Sequence, residues 1–191
     1  MYFEKLKSLI ITPETPINTG NLELRNEVNN KLGITLPEEY YQIIETYGEG
    51  SFGNDLTIFN PYTTNPYLNL FQQIRDWRES YNAMKEEFGS EISIQKYSSY
   101  NSEICEGFPF DWYPEKNGLI LWGWIEGGGY SFYWLPNDGN WSIVVYDDSD
   151  GYKVFDMGIA EFIYKLMLGQ IEFEDLCDDM SDDKLVFIKA T

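Results

Sequence analysis

The feature that most constrains this chain is a rhythm between residues 119 and 155. Four runs rich in apolar and aromatic residues, 119–125, 130–135, 141–146 and 152–155, alternate with three short polar segments. Those segments are Glu126-Gly127-Gly128-Gly129, Pro136-Asn137-Asp138-Gly139-Asn140 and Asp147-Asp148-Ser149-Asp150-Gly151, all built from residues that tolerate positive φ. A parallel crossover needs a dozen or more residues, so connections this short join antiparallel neighbours. The spacing therefore predicts a four-stranded antiparallel meander.

Helical periodicity surrounds it. Leu24, Val28 and Leu32 recur every four residues and Gly33 follows as a stop, which predicts a short helix. A second helix opens at Pro37. Glu38 and Glu39 complement its N-terminal dipole, Tyr40, Ile43, Ile44 and Tyr47 form its apolar stripe, and Gly48 is placed for a left-handed stop. A strand is predicted over 56–59, and a long helix over 66–88 whose apolar positions are Leu70, Ile74, Trp77, Tyr81, Met84 and Phe88. That 4-3-4-3-4 spacing covers fewer than three heptads, so the stripe is read as covering a sheet, not as a coiled-coil seam. A strand over 92–97, a final helix through Ile159, Phe162, Ile163, Leu166 and Met167 ending near Gly169, and an apolar run at 185–188 complete the pattern. No repeat or Ser/Gly-rich linker divides the chain. The expectation is one α+β domain over 1–191, an antiparallel β meander sheet packed with several α-helices, with 169–191 as an acidic C-terminal extension.

Chemistry is limited by what is missing. The chain has no histidine, which removes Ser-His and Cys-His nucleophile pairs and every His-containing metal site. Cys105 and Cys177 show no metal-ligand spacing and read as two thiols in a reducing compartment. Gly48-Glu49-Gly50-Ser51-Phe52-Gly53 matches a dinucleotide fingerprint as text, but a helix precedes it and a strand follows, the reverse of what a phosphate-binding turn needs. Aligning Gly151 with the glycine of a calcium-binding EF-hand loop leaves Tyr146 and Met157 where end ligands belong, so only a looser cation site at Asp147, Asp148 and Asp150 stays open. The apolar run 8–11 is too short for a signal-peptide core, and no stretch approaches membrane-spanning length. Pairs of carboxylates near tryptophans would suit a glycosidase, and exposed tryptophans a glycan platform; with so many acids and rings neither pattern is specific.

Charge is more informative. Thirty-two acids against 13 bases give a net charge of −19, which argues against nucleic-acid phosphates and anionic membranes as partners. Residues 100–160 hold ten acids and only two bases, and six of the acids, Glu126, Asp138, Asp147, Asp148, Asp150 and Asp156, lie in turns or just beyond strand ends of the meander.

Two sets of residues resemble a known family. Leu32-Gly33-Ile34-Thr35-Leu36-Pro37-Glu38-Glu39-Tyr40, running into Tyr47-Gly48-Glu49-Gly50, is similar to the opening signature of the SUKH superfamily. Leu119-Ile120-Leu121-Trp122-Gly123, Gly127-Gly128-Gly129-Tyr130-Ser131-Phe132, Ile143-Val144-Val145-Tyr146-Asp147, Phe155 and Phe162-Ile163 follow that family's order of strand, Gly-rich turn, strands and closing helix. The similarity spans about 21–168. It implies an α+β fold without enzymatic activity and without a cofactor or metal. Bacterial members bind and neutralise a cognate polymorphic toxin, often a nuclease or deaminase, and fungal members regulate cell-wall synthesis by binding proteins. The expected partner is thus a basic protein toxin met in the cytoplasm by a monomer or weak dimer. Acids would supply steering and buried aromatics affinity, so Trp124, Glu126, Tyr130, Asp138, Trp141, Asp147, Asp148 and Asp150 are the candidate partner-binding residues.

Overall fold

The computed structural model describes residues 1–53, 55–88, 93–97, 102–106, 109–116, 118–125, 127, 129–137, 139–147, 151–173, 176–177 and 185–190. Its centre is the meander: β5 (Ile120–Ile125), β6 (Tyr130–Asn137), β7 (Asn140–Asp147) and β8 (Gly151–Phe155) pair antiparallel in succession. To one side lie β2 (Leu56–Ile58), β1 (Gly50–Phe52) and β9 (Phe187–Lys189), and to the other β3 (Ser93–Tyr97) and β4 (Ser102–Glu106). The nine strands form one sheet in the order β4-β3-β8-β7-β6-β5-β2-β1-β9, antiparallel except between β3 and β8. The α+β class and the meander agree with the sequence.

Five helices are found among the described residues. α2 (Leu22–Leu32) ends on Gly33 at φ 67°, and its apolar residues Val28 and Leu32 are buried, as the period requires. α3 (Glu38–Tyr47) buries Tyr40, Ile43, Ile44 and Tyr47, the whole predicted stripe. Its stop differs in kind. Gly48 has φ 77° and ψ −142°, outside the left-handed helical well, and a Cβ there would sit 2.4 Å from the Ile17 carbonyl oxygen, so only glycine fits.

Four expectations change. α1 (Tyr2–Leu9) is a helix where none was foreseen; Phe3 and Leu6 are buried and Tyr2 meets Tyr164 of α5 (Ile159–Met167) at 5.8 Å, so its partner lies at the far end of the chain. The Gly-rich segment that follows Tyr47, where no strand is expected from the sequence, contributes β1. The long helix α4 (Leu70–Phe88) begins at Leu70, not 66, because Asn69 Oδ1 accepts the Gln72 amide at 3.0 Å and residues 66–69 form a turn in which the Leu68 carbonyl accepts the Asn60 amide. β4 and the parallel β3–β8 pair have no counterpart in the sequence reading.

The helices divide between two faces. A register shift between Leu121 and Gly123 makes Trp122 an extra residue, turned with Phe132 and Trp134 toward α5 and α3. Trp122 stacks on Phe132 at 5.2 Å and 27°, Phe162 meets Trp122, Phe132 and Phe155, and Tyr40 meets Trp134 edge-on at 4.8 Å. The opposite face is covered by α4, whose Trp77 lies against Tyr133 of β6. At the sheet's far edge, Phe187 of β9 packs on Tyr47 and Phe52 at 5.2 and 5.0 Å.

Candidate partner-binding surface

The Leu-Pro-Glu-Glu-Tyr segment turns out to be tied almost entirely to the protein itself. Leu36 is buried, and its amide donates to Asn29 Oδ1, which also accepts the Tyr41 hydroxyl at 2.7 Å. Glu38 accepts from Arg25, whose guanidinium forks onto Glu45 at 2.5 and 2.6 Å, clamping α2 to α3. The bond to Glu45 raises Arg25 above its already high usual pKa; burial opposes this and Glu38 adds to it. Glu39 reaches to α5, where its carboxylate accepts the Ala160 amide at 3.3 Å, a negative charge at a helix N-terminus that has no side-chain cap of its own. Tyr40, fully buried, donates to the Phe59 carbonyl at 2.6 Å. The motif is chiefly a knot joining α2, α3, α5 and the strand β2.

What it leaves open is a groove of about 640 Å³ between 34–39 and the β6–β7 hairpin. Trp141 lines it, half-buried, with its ring 6.2 Å from that of Trp134. The other described candidates lie elsewhere. Trp124, Tyr130 and Asp147 sit where β5 ends, β6 begins and β7 ends, and Tyr130 is directly opposite Asp147. Trp141 is opposite Pro136 near the other end of β6; at ~3.3 Å per residue the two ends of that eight-residue strand are about 23 Å apart. Each hairpin reverses the chain, so successive turns of a meander fall at alternate ends. The structure thus groups Trp124, Tyr130 and Asp147 at one end of the meander and places Trp141 toward the other. Glu126, Asp138, Asp148 and Asp150 lie outside the described residues, as does most of the looser cation site.

The grouped residues are also more enclosed than a docking surface requires. Trp124 meets Phe59 edge-on at 4.9 Å, Tyr130 meets Phe173 at 6.1 Å, and Asp147 is only 8% exposed. None of the six tryptophans is exposed: Trp112, Trp122 and Trp134 are buried, and Trp77, Trp124 and Trp141 half-buried. No tryptophan presents the fully exposed ring expected of a flat glycan platform. Among the described residues no three acidic or cysteine side chains come together as a metal-ligand set.

The sequence reading missed a third place. Between α4 and the sheet lies an aromatic cleft of about 240 Å³, walled by Trp77, Tyr81 and Met84 and floored by Trp112 and Tyr133. The stripe on α4 was legible, but it was read as core; among its residues with described burial Leu70 is fully buried, whereas Ile74, Trp77, Tyr81 and Met84 are half-buried. The usable signal was width. One helix about 10 Å across cannot close a face of several strands spaced ~4.8 Å apart.

The described residues thus form an α+β protein with one long, mostly antiparallel sheet, a helix-knotting Leu-Pro-Glu-Glu motif with a groove beside it, and an aromatic cleft under α4. The family model described as SMI1-KNR4 cell-wall, SUKH_6, matches residues 23–163, from α2 into α5, and the chain belongs to that SUKH family. No curated protein and no solved structure matches it. Membership supports an immunity-type, protein-binding role in general. No helix among the described residues is long and apolar enough to cross a membrane.

Proposed function

We propose that this chain is a non-enzymatic immunity protein that neutralises a cognate toxin, a basic nuclease-type effector, by covering its active or substrate-binding face. The observation that carries the proposal is the charge of −19 on a chain of this family. A toxin that grips phosphate is positive where it works, so an acidic inhibitor is drawn to that surface, and complementarity of this kind raises association rates by orders of magnitude. On this reading the chain acts as a single domain in the cytoplasm, as a monomer or weak dimer, and uses no cofactor.

Co-expression with the toxin encoded beside this chain tests it. Cells carrying both are expected to survive where toxin alone kills, and the purified pair to associate about tenfold or more slowly when salt shortens the Debye length from ~10 Å to ~3 Å. Death despite co-expression sinks the proposal; rescue with a salt-independent rate sinks only the electrostatic part.

A further inference from the structure

We infer that the cleft between α4 and the sheet receives an arginine side chain of a basic protein partner. This rests on the partner-binding reading above and names its anchor. Three separate parts of the chain supply the walls: Trp77, Tyr81 and Met84 from α4, Trp112 from the connection before β5, and Tyr133 with Tyr146 from β6 and β7. The hollow, about 240 Å³, suits one long side chain. Tyr133 is fully buried and forms the floor, whereas Trp77, Tyr81 and Tyr146 are half-buried and reach the solvent.

The rings are tilted against one another. Trp112 and Tyr133 meet at 5.1 Å and 73°, Tyr81 and Trp112 at 5.2 Å and 50°, and Trp77 and Tyr133 at 6.4 Å and 48°. A hollow walled by aromatic side chains attracts a cation that reaches a ring face, and tryptophan is the strongest of the ring types in this respect. Burial raises the Tyr81 hydroxyl above the usual tyrosine range and Asp111 adds to this, so that wall stays an uncharged ring at physiological pH.

Arginine matches this chemistry better than the other long side chains. Its guanidinium is planar, stacks on aromatic faces and is more weakly hydrated than an ammonium, while its aliphatic stem packs on surfaces such as Met84. The partner's charge favours the same choice, because a chain at −19 selects a cationic surface. Asp111, exposed, lines the adjoining hollow, which shares Tyr81 and Trp112 with the cleft, and is the carboxylate offered there to an incoming cation. Arg78 and Lys85 line the adjoining hollow, where Asp111 and Glu115 oppose them in equal number.

The test is a titration with capped arginine amide and with its neutral isostere, capped citrulline amide, at constant ionic strength, following the indole N–H signals of Trp77 and Trp112 by NMR. Arginine is expected to shift both saturably and citrulline to bind about tenfold more weakly. Trp77→Leu is expected to abolish the response. Asp111→Asn, a surface change that leaves the packing intact, is expected to weaken it about threefold. Equal responses to the two amides, or an arginine response unchanged in both variants, overturns the inference. In the complex with the toxin from the rescue experiment, Trp77→Leu is expected to raise Kd about tenfold or more. A Kd that does not move overturns the assignment to a partner's side chain while immunity stands. Arginine binding without rescue from any toxin removes the immunity reading and leaves the cleft's preference in place.

Discussion

The face of the sheet under α1, α3 and α5 and the face under α4 draw on the same residue types, yet the first is closed and the second holds a hollow. On the closed face Trp122, Phe132, Trp134 and Phe162 are all 0% exposed, and rings from strands and helices interlock at 4.8 to 6.1 Å. On the other, a single helix leaves Trp77, Tyr81 and Tyr146 half in water. Aromatic content is thus a poor guide to which surface is core and which is site. The number of helices laid over each face decides, because a large ring becomes fully buried only when elements enclose it from several directions.

The sharpest way to break this comparison is to remove one ring from each face. Phe162→Ala is expected to cost about 3–5 kcal/mol, since it takes away a fully buried ring that touches three others. Trp77→Ala, on a ring already half hydrated, is expected to cost about 1–2 kcal/mol. Urea denaturation of both variants measures the difference; equal costs would mean that the α4 face is as much a part of the core as the other. Next in size is Tyr40→Phe, expected to cost about 1–3 kcal/mol by depriving the Phe59 carbonyl of its 2.6 Å donor in a fully buried setting. A smaller loss is expected for Tyr81→Phe on the open face, because Tyr81 is only half-buried where Tyr40 is fully enclosed.

Much of this division was legible in the residues, and the exceptions have a common cause. Leu24, Val28 and Leu32, or Tyr40, Ile43, Ile44 and Tyr47, announce helices because period and stop signal lie within a dozen positions, and the meander announces itself through its turns. α1 did not, since Phe3 and Leu6 gain their burial from α5, more than 150 residues later. β1 hid in a Gly-rich segment because its pairing with β9, Ser51 opposite Ile188, is non-local. The parallel β3–β8 pair likewise has no turn to betray it. Among the candidate site residues, strand pairing places Tyr130 opposite Asp147 at one end of the meander and Trp141 opposite Pro136 toward the other, a division that composition does not encode. The acids of Leu-Pro-Glu-Glu, exposed by composition, are engaged by Arg25 and the α5 amide, a use visible only in three dimensions.

That knot supplies a smaller test on the closed face. Glu39→Gln keeps an oxygen near the Ala160 amide but removes the negative charge at the N-terminus of α5, and is expected to cost about 0.5–1 kcal/mol, less at high salt. Arg25→Lys keeps the charge and loses the fork onto Glu45, with an expected cost of about 1 kcal/mol. Thermal melts of the two at low and high salt separate the contributions: if Glu39→Gln is insensitive to salt, the carboxylate acts as a hydrogen-bond acceptor alone.

The smallest effect at neutral pH becomes visible in alkali. Tyr47 is fully buried on the closed face, donates to the Ile10 carbonyl at 3.0 Å, and burial pushes its hydroxyl up to about 12. In the unfolded chain a tyrosine ionises near ~10, so the folded state holds this proton more tightly. The corresponding stability is complete below pH ~10 and is lost as the pH climbs through about 12, because the unfolded chain gains by ionising first. Unfolding free energy measured across that window is expected to fall, and Tyr47→Phe to flatten the fall. Tyr81→Phe is expected to flatten it less, since solvent at the cleft lessens the penalty on the ionised form. If the two variants change the alkaline slope equally, the two faces are equally dry and the cleft is not open to a ligand.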